Sequence, residues 1–193
     1  MVLQINERKL FFNIWLGLLA FVNDKHKLIN NFGHPKKPYG KKPETIMSIK
    51  TKLWEDVGII DEYIDSVRNL SNDQIQILKS WKNRVGGTFI IIRHLKNYSV
   101  FIDDKNDLLY GVIGITSPIY EMFPAEILPI VVETSLLPFR DQIIYDSIFS
   151  KYNVQIGPNM RRNFKEQYSE IKKNKGIISS FRSADIAEDT DDA

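Results

Sequence analysis

Two short stretches carry the side chains best suited to chemistry in this chain. Arg93 and His94 follow the apolar run Phe89–Ile92, and Tyr145 and Asp146 end a second apolar run. A guanidinium, an imidazole, a phenol and a carboxylate brought together can bind an anion or move a proton. If the fold joins the two stretches, the sequence allows a small-molecule enzyme with these four residues as its site.

The alternative is structural, and the positions of these residues favour it. Charged side chains are expected where a strand leaves the core for a turn, as Arg93 and His94 do. Arg140 and Asp141 fit a turn in the same way, while Asp146 can pair with a neighbouring base or cap a turn. The sequence therefore favours a protein without catalysis.

Other catalytic and metal-binding patterns are missing from the sequence. There is no cysteine, which excludes disulfides, thiolate catalysis and cysteine-bound zinc. The three histidines form no His-x-x-x-His pair, and no Gly-x-Ser-x-Gly elbow or Walker glycine loop is present. Asp103, Asp104 and Asp107 lack the central glycine and later glutamate of a calcium loop. We therefore predict no metal and no cofactor.

Basic residues cluster in two parts of the chain. One cluster lies in residues 26–43, where prolines and glycines predict a loop or linker, and the other lies near the C-terminus. Both can contact phosphates. Because 24 acidic residues nearly balance 26 basic ones, we favour solvated surfaces, with nucleic-acid contact as the alternative. The residues are Lys36, Lys37, Lys41, Lys42, Arg161, Arg162, Lys165, Lys172, Lys173 and Lys175.

A hydrophobic run covers residues 10–22. Its length of about thirteen residues falls short of the roughly 18 to 20 that cross a bilayer. It also lacks the small-residue cleavage site of a signal peptide. We predict a helix over residues 7–23 that lies in the core, on a protein partner or against a second copy; a membrane-surface helix and a targeting signal are the alternatives. The sequence argues against an integral membrane protein and fits the cytoplasm.

The sequence of residues 1–86 predicts a helical region. Apolar residues recur at helical spacing over residues 45–54 and 59–68. Ser71 and Gln74 then form a capping box at the start of a further helix. Gly86 and Gly87 predict its end, because glycine readily adopts the left-handed conformation of a helix C-terminus.

Residues 87–181 predict a β-rich domain with a C-terminal helix. Closure of a barrel removes the exposed edges of its apolar strands. We therefore predict an α+β fold in which N-terminal helices precede a five-stranded SH3-like or OB-like barrel. A small, strongly bent antiparallel sheet is the alternative. The predicted strands cover residues 88–95, 98–103, 108–115, 129–137 and 142–146, with a further strand over 152–156 and a helical insert over 118–123.

The last predicted helix covers residues 159–174. Met160, Phe164, Tyr168 and Ile171 recur on one side of it and are expected to be buried. A short closing strand is predicted over residues 177–181. Residues 182–193 are acidic and lack packing side chains, which predicts a disordered tail.

Parts of the C-terminal half resemble a group of uncharacterised bacterial proteins. The resemblance lies in Trp81-Lys82 and Gly87–Lys96, in Leu136–Asp146, and in Gly176–Ser180. It implies a bacterial, cytosolic protein and carries over no activity, cofactor or functional residue.

The leading functional hypothesis is a noncatalytic binding or adaptor module with a protein or nucleic-acid partner. The alternatives are the small-molecule enzyme described above and a single-stranded nucleic-acid-binding barrel. An enzyme requires its polar groups to converge, whereas a binding module requires an exposed basic or apolar patch.

Overall fold

The chain folds into two compact units. The computed structural model describes residues 1–30, 32 and 43–181, with side chains for all of these but residues 43–45. The helical unit is Gln4–Lys82, and the barrel unit is Met1–Leu3 with Asn83–Ala193. Two features predicted above lie outside the described residues, namely the acidic tail 182–193 and the lysine cluster Lys36, Lys37, Lys41 and Lys42.

Helices make up the helical unit. The predicted capping box is confirmed, because Ser71 Oγ accepts from the Gln74 N–H at 3.2 Å and Gln74 Oε1 accepts from the Ser71 N–H at 2.8 Å. No helix in the described part of the chain is both long and apolar enough to span a membrane. The helices are α1 (Ile5–His26), α2 (Pro43–Glu55), α3 (Ile59–Ser66) and α4 (Asn72–Ser80), followed by a 3-10 turn at Trp81–Asn83.

The hydrophobic run of α1 lies in the core of the helical unit. Trp15 stacks on Phe11 and Trp54 with ring centroids about 6 Å apart, and it meets the edge of Trp81 at 5.7 Å. Helix α1 packs against α2, α3 and α4, which cover it within the same unit. Of the roles predicted for residues 10–22, the structure therefore favours that of a core helix.

Five strands of the barrel unit form a closed barrel, which confirms the predicted α+β fold class. The strands are β1 (Val85–His94), β2 (Ser99–Asp103), β3 (Leu108–Val112), β4 (Ile130–Phe139), β5 (Gln142–Tyr145) and β6 (Ser150–Lys151). The barrel strands are paired in the order β1-β2-β3-β5-β4, and β4 pairs back to β1. Strand β6 is an extra strand on β4.

Of the two predicted barrel types, SH3-like and OB-like, the strand order agrees with the OB-like type. Strands β3 and β5 pair in parallel at Val112 and Ile143, and the other pairings are antiparallel. The sheet is therefore mixed, and the small antiparallel sheet given above as the alternative to a barrel is not formed. A short helix, α5 (Ile119–Met122), connects β3 to β4. A five-stranded Greek-key barrel of this kind is typical of OB-like folds.

The chain after the last helix closes the barrel wall beside β3. Ile178 forms a parallel bridge with Tyr110, and its backbone is joined to Leu109 and Gly111 by hydrogen bonds of 2.8 Å. The closing strand predicted over residues 177–181 is thus reduced to a single bridge. Phe181 continues the contact, with its ring centroid 5.7 Å from that of Tyr110.

The last helix, α6 (Pro158–Asn174), covers the outer face of β1, β2 and β3. Phe164, Tyr168 and Ile171 are the side chains that it packs against the barrel. This helix removes apolar strand residues from water, which is the main driving force for its docking. The covered strand residues are Ile90, Ile92, Val100, Ile102 and Leu109.

Three local predictions were wrong. Gly86 and Gly87 do not end a helix but lie in β1, opposite Ser135 and Thr134 of β4, because pairing with a distant strand outweighs the local glycine signal. Residues 152–156 are not a strand, and the pairing with β4 stops at Lys151. Met160 is 42% exposed, since the contact of α6 with the barrel begins one turn later, at Phe164.

Candidate functional site

A β-bulge decides where Arg93 and His94 point. In the pairing of β1 with β2, Ile91 lies opposite Phe101 and Arg93 opposite Val100, so Ile92 is an extra residue. The extra residue leaves Ile92 and Arg93 on the outer face, where Arg93 meets Tyr168. His94 then points to the other side of the strand, towards Ser99 and Phe123.

Both ring nitrogens of His94 are engaged in hydrogen bonds. Nε2 lies 2.8 Å from the Phe123 carbonyl oxygen and Nδ1 lies 2.7 Å from Ser99 Oγ. A carbonyl only accepts, so Nε2 donates to it and Nδ1 accepts from the Ser99 hydroxyl. His94 therefore holds the segment after α5 against the start of β2, which is a structural role.

Replacing His94 with alanine is expected to destabilise the protein by about 1 to 2 kcal/mol, because the Phe123 carbonyl and the Ser99 hydroxyl lose their partner. Urea unfolding followed by circular dichroism measures the change. Lys96→Ala, at an exposed turn position, is the control and should stay within about 0.5 kcal/mol of the parent protein. Equal stability of the two variants would contradict the structural role of His94.

Tyr145 lies in an aromatic cluster. Its ring stacks on Phe149 at 4.1 Å, and its hydroxyl is 4.0 Å from the sulfur of Met122. Burial raises the pKa of Tyr145 to about 12, and the charge of Asp146 adds to this, while a backbone hydrogen bond at Ile115 opposes it. A phenol held neutral in this way is suited to packing rather than to proton transfer at neutral pH.

Asp146 and Thr134 form a buried polar cluster, and the charge of Asp146 acts on the half-buried Arg84. Its Oδ1 accepts from Thr134 Oγ1 at 3.1 Å, and its N–H donates to the Ser135 carbonyl at 3.0 Å. Burial lowers the pKa of Arg84, and the charge of Asp146 raises it. The cluster ties the start of β1 to β4 and to the end of β5.

The four candidate residues thus have different hydrogen-bond partners, although His94 and Tyr145 both contact the segment at the end of α5, at Phe123 and Met122. Arg93 meets α6, His94 meets the segment after α5, Tyr145 lies in the aromatic cluster, and Asp146 lies in the buried polar cluster. The geometry favours the structural interpretation of each over a shared catalytic site. Within residues 1–30, 32 and 46–181, no three carboxylate or imidazole side chains are grouped so as to hold a metal ion.

A different set of residues is brought together on α6. At 3.6 residues per turn, Arg161, Lys165 and Lys172 share one flank of the helix, and Arg162 and Lys173 lie beside that flank on the solvent side. The opposite flank carries Asn163, Gln167, Glu170 and Asn174. We call these five helix residues, together with Arg93, the basic stripe: Arg93, Arg161, Arg162, Lys165, Lys172 and Lys173.

Tyr168 joins Arg93 to the helix. The Arg93 guanidinium lies 5.2 Å from the centre of the Tyr168 ring, and Lys172 Nζ lies 5.7 Å from it. Burial of Tyr168 opposes its ionisation, but hydrogen bonds and charge from Arg93 and Lys172 outweigh burial and lower its pKa. The two cations thus share a positive field at the Tyr168 ring.

The basic stripe is long and mostly solvated. Arg161 and Lys173 are separated by about 18 Å along the helix axis. Arg93, Arg162, Lys165, Lys172 and Lys173 are exposed, whereas Arg161 is half-buried and donates to the Leu128 carbonyl at 2.5 Å. Arg162 has a carboxylate neighbour, Glu166, at 3.9 Å. A row of exposed cations over this length can contact several successive phosphates.

The sequence identifies the α6 members of the stripe as basic clusters but does not place Arg93 with them. Arg93 and Tyr168 are separated by 75 residues, and the bulge at Ile92 sets the direction of Arg93. In a regular strand, successive side chains point to opposite faces, so Arg93 would be expected on the face opposite to that of Ile92.

Comparison of the chain with protein-family models, with curated proteins and with solved structures returned no match. The resemblance to uncharacterised bacterial proteins stays a prediction. The assignment of function therefore depends on the geometry of the basic stripe.

Proposed function

We propose that this protein is a noncatalytic binding module that contacts nucleic acid through the basic stripe. The observation that supports it is the alignment of five cations on one side of α6 with Arg93 of the barrel. Phosphate contacts of this kind give affinity that is largely independent of sequence and falls with salt. The lack of cysteine fits the reducing cytoplasm, where we expect the protein to act.

Binding is expected to depend on phosphates rather than on stacked bases. Small barrels bind single strands by stacking bases on aromatic side chains of the sheet. Here α6 covers the outer face of β1, β2 and β3. The ring of Tyr98 lies against Gly111, where a Cβ atom would be only 2.8 Å from it. The basic stripe is therefore the surface through which we expect contact.

Reversing three charges of the stripe tests the proposal. Arg162→Glu, Lys165→Glu and Lys173→Glu, combined in one variant, remove three exposed phosphate contacts. The slope of log affinity against log salt for single-stranded DNA should then fall in magnitude by about 2, with at least a tenfold loss of affinity at low salt. Fluorescence anisotropy of a labelled oligothymidylate, titrated at several salt concentrations, measures both quantities.

The matched control reverses three exposed lysines elsewhere, Lys9, Lys79 and Lys105, and changes the net charge by the same amount. It should keep most of the affinity and the slope. If both variants lose affinity equally, only net charge matters and the stripe is not the binding surface. If the unmodified protein does not bind at low salt, the proposed function is wrong.

A further inference from the structure

The first half of strand β1 has one edge without a strand partner. Strand β1 has ten residues and β2 only five. Strand β4 pairs with β1 over Val85–Ile91, whereas β2 begins its pairing on the other edge at Ile90. Within the part of the chain that the structure describes, no strand or bridge occupies this second edge over Val85–Phe89. About 17 Å of extended backbone is therefore open on one side, and we call it the free edge.

The hydrogen bonds of β4 show which backbone groups of β1 point to the free edge. The Ser135 carbonyl accepts from the Asp146 N–H at 3.0 Å, on the side of β4 that faces β5. Ser135 lies opposite Gly86 in the pairing of β4 with β1. Because backbone groups alternate between the two edges of a strand, the N–H and C=O of Gly86 and of Thr88 point away from β4. The Val131 carbonyl, which accepts a bond on the β6 side of β4, gives the same alternation.

The free edge lacks the devices that normally protect a strand edge. Within the described residues, the four backbone groups of Gly86 and Thr88 that face it have no hydrogen-bond partner, and both residues are exposed. Exposed edges are usually protected by a charged side chain, a proline, a bulge or a very short strand. Strand β6, at the other end of the sheet, has only two residues and carries Lys151. The free edge has none of these features, since the bulge of β1 lies further along, at Ile92.

Gly87 leaves room for a side chain of an added strand. Nothing lies within 4 Å of a Cβ atom at this position. Gly111 of β3 shows how the same barrel covers a strand glycine, because the ring of Tyr98 lies against it. Aromatic side chains stabilise strand glycines by packing over them from a neighbouring strand. Gly87 bonds to β4, so it would form a non-hydrogen-bonded pair with an added antiparallel strand, and facing side chains are closest in such pairs.

We propose that the free edge binds an extended segment of a partner protein as an antiparallel strand in line with β2. Main-chain hydrogen bonds to Gly86 and Thr88 give affinity, and an aromatic side chain over Gly87, flanked by β-branched residues, gives specificity. A second copy of the chain is a poorer occupant, because five residues of edge bury far less than the roughly 1,200 Å² of a stable interface. None of residues 85–89 belongs to the basic stripe, so this binding is independent of nucleic acid.

A synthetic strand tests the pairing. The probe is the labelled peptide acetyl-Lys-Thr-Val-Tyr-Val-Thr-Lys-amide, whose symmetric sequence places tyrosine opposite Gly87 and its valines opposite Gly86 and Thr88. In fluorescence anisotropy titrations, alanine in place of tyrosine should weaken binding about fivefold. N-methylation of both valines should weaken it at least about tenfold, because their N–H groups bond the free edge. N-methylation of both threonines is the control and should change affinity less than about twofold, because those N–H groups point to solvent.

Nuclear magnetic resonance locates the bound peptide. Amide exchange of Gly86 and Thr88 should slow at least about fivefold when the peptide is added, while that of Gly87, already bonded to β4, should stay unchanged. Thr88→Pro removes an N–H that the fold does not use, and proline is tolerated at such edge positions. It should weaken binding as valine N-methylation does, whereas Thr88→Val should not. If Thr88→Pro does not fold, the N-methylated peptides still decide.

Two results would overturn the proposal directly, namely no binding of the tyrosine peptide at millimolar concentration and equal affinity of the two N-methylated peptides. Equal affinity of the tyrosine and alanine peptides would overturn the preference for an aromatic residue. Slow amide exchange of Gly86 and Thr88 in the protein alone would overturn the partner peptide as occupant. If that protection rises with protein concentration, a second copy occupies the edge, and otherwise a segment of the same chain does.

Discussion

Replacing Asp146 with alanine should destabilise the barrel unit by about 2 to 3 kcal/mol, because a buried carboxylate that accepts a hydrogen bond and stabilises a nearby positive charge is lost. Asp146 is only 1% exposed, accepts from Thr134, and offsets the effect of burial on Arg84. Alanine removes the negative charge that acts on the half-buried Arg84 guanidinium. It also removes one of the two acceptors of the Thr134 hydroxyl, so that only the Ile148 carbonyl remains. Asp146→Asn keeps an acceptor for Thr134 and should cost about half as much.

Urea unfolding measured by circular dichroism gives the loss, and hydrogen exchange of peptides from β4 and β5 locates it. Tryptophan fluorescence is a separate probe of the helical unit, because Trp15, Trp54 and Trp81 all lie in that unit. The control is Asp141→Ala, an exposed turn residue. A loss for Asp146→Ala no larger than that for Asp141→Ala would show that the cluster does not stabilise the fold.

A double-mutant cycle separates the pair from its surroundings. Asp146→Asn and Arg84→Gln should be non-additive by about 1 kcal/mol or more, as expected for residues in one polar network. Additive losses would mean that the two charges do not depend on each other. The guanidinium would then be held by its packing over Gly86, where a Cβ atom would lie 2.0 Å from Arg84 Nη1.

Replacing Gly114 with alanine should be equally damaging. A Cβ atom at this position would lie 2.0 Å from the Ser117 carbonyl oxygen and 3.2 Å from Pro118 Cα. Both obstacles are backbone, which cannot rotate away as a side chain can. Gly114 is also held from the other side, since its N–H donates to Met1 O at 3.1 Å and its carbonyl accepts from Leu3 N at 2.9 Å.

The expected loss is about 3 kcal/mol, at the upper end for overpacking. For a chain of this size it corresponds to a fall in Tm of about 6 to 12 °C. Gly157→Ala is the matched control, because nothing lies within 4 Å of a Cβ atom there. It should cost about 1 kcal/mol or less, the effect of alanine at a helix N-cap. Differential scanning calorimetry of both variants tests the contrast, and similar Tm values would contradict it.

Much of the fold can be predicted from the sequence, because the signals for helix starts, strands and helix faces lie in neighbouring residues. Ser71 and Gln74 specify a helix start through contacts three residues apart. The β-branched runs predict the strands, and apolar residues at helical spacing predict the α6 face of Phe164, Tyr168 and Ile171. The neighbours that crowd Gly111 and Gly114, Tyr98 and Ser117, are identified by the structure alone.

The candidate site is harder to predict from the sequence, because long-range packing decides which side chains lie near one another. The sequence draws attention to Arg93, His94, Tyr145 and Asp146, yet each has its own partners in the fold. The sequence also could not distinguish an SH3-like from an OB-like barrel. That choice depends on which strand lies beside β3, and the composition of a single strand does not reveal its neighbours.

By itself, the sequence determined the helical N-terminal region, the β-rich barrel and the basic character of the last helix, because helix caps, strand propensity and charge are properties of neighbouring residues. Only the tertiary structure decided that Arg93 faces α6 and that Asp146 is buried where its charge acts on Arg84. A single extra residue at Ile92 turns Arg93 to the outer face, and the pairing of β1 with β4 and of β4 with β5 brings together residues some sixty positions apart. Register and strand order are set by the whole core at once, which no short stretch of sequence encodes.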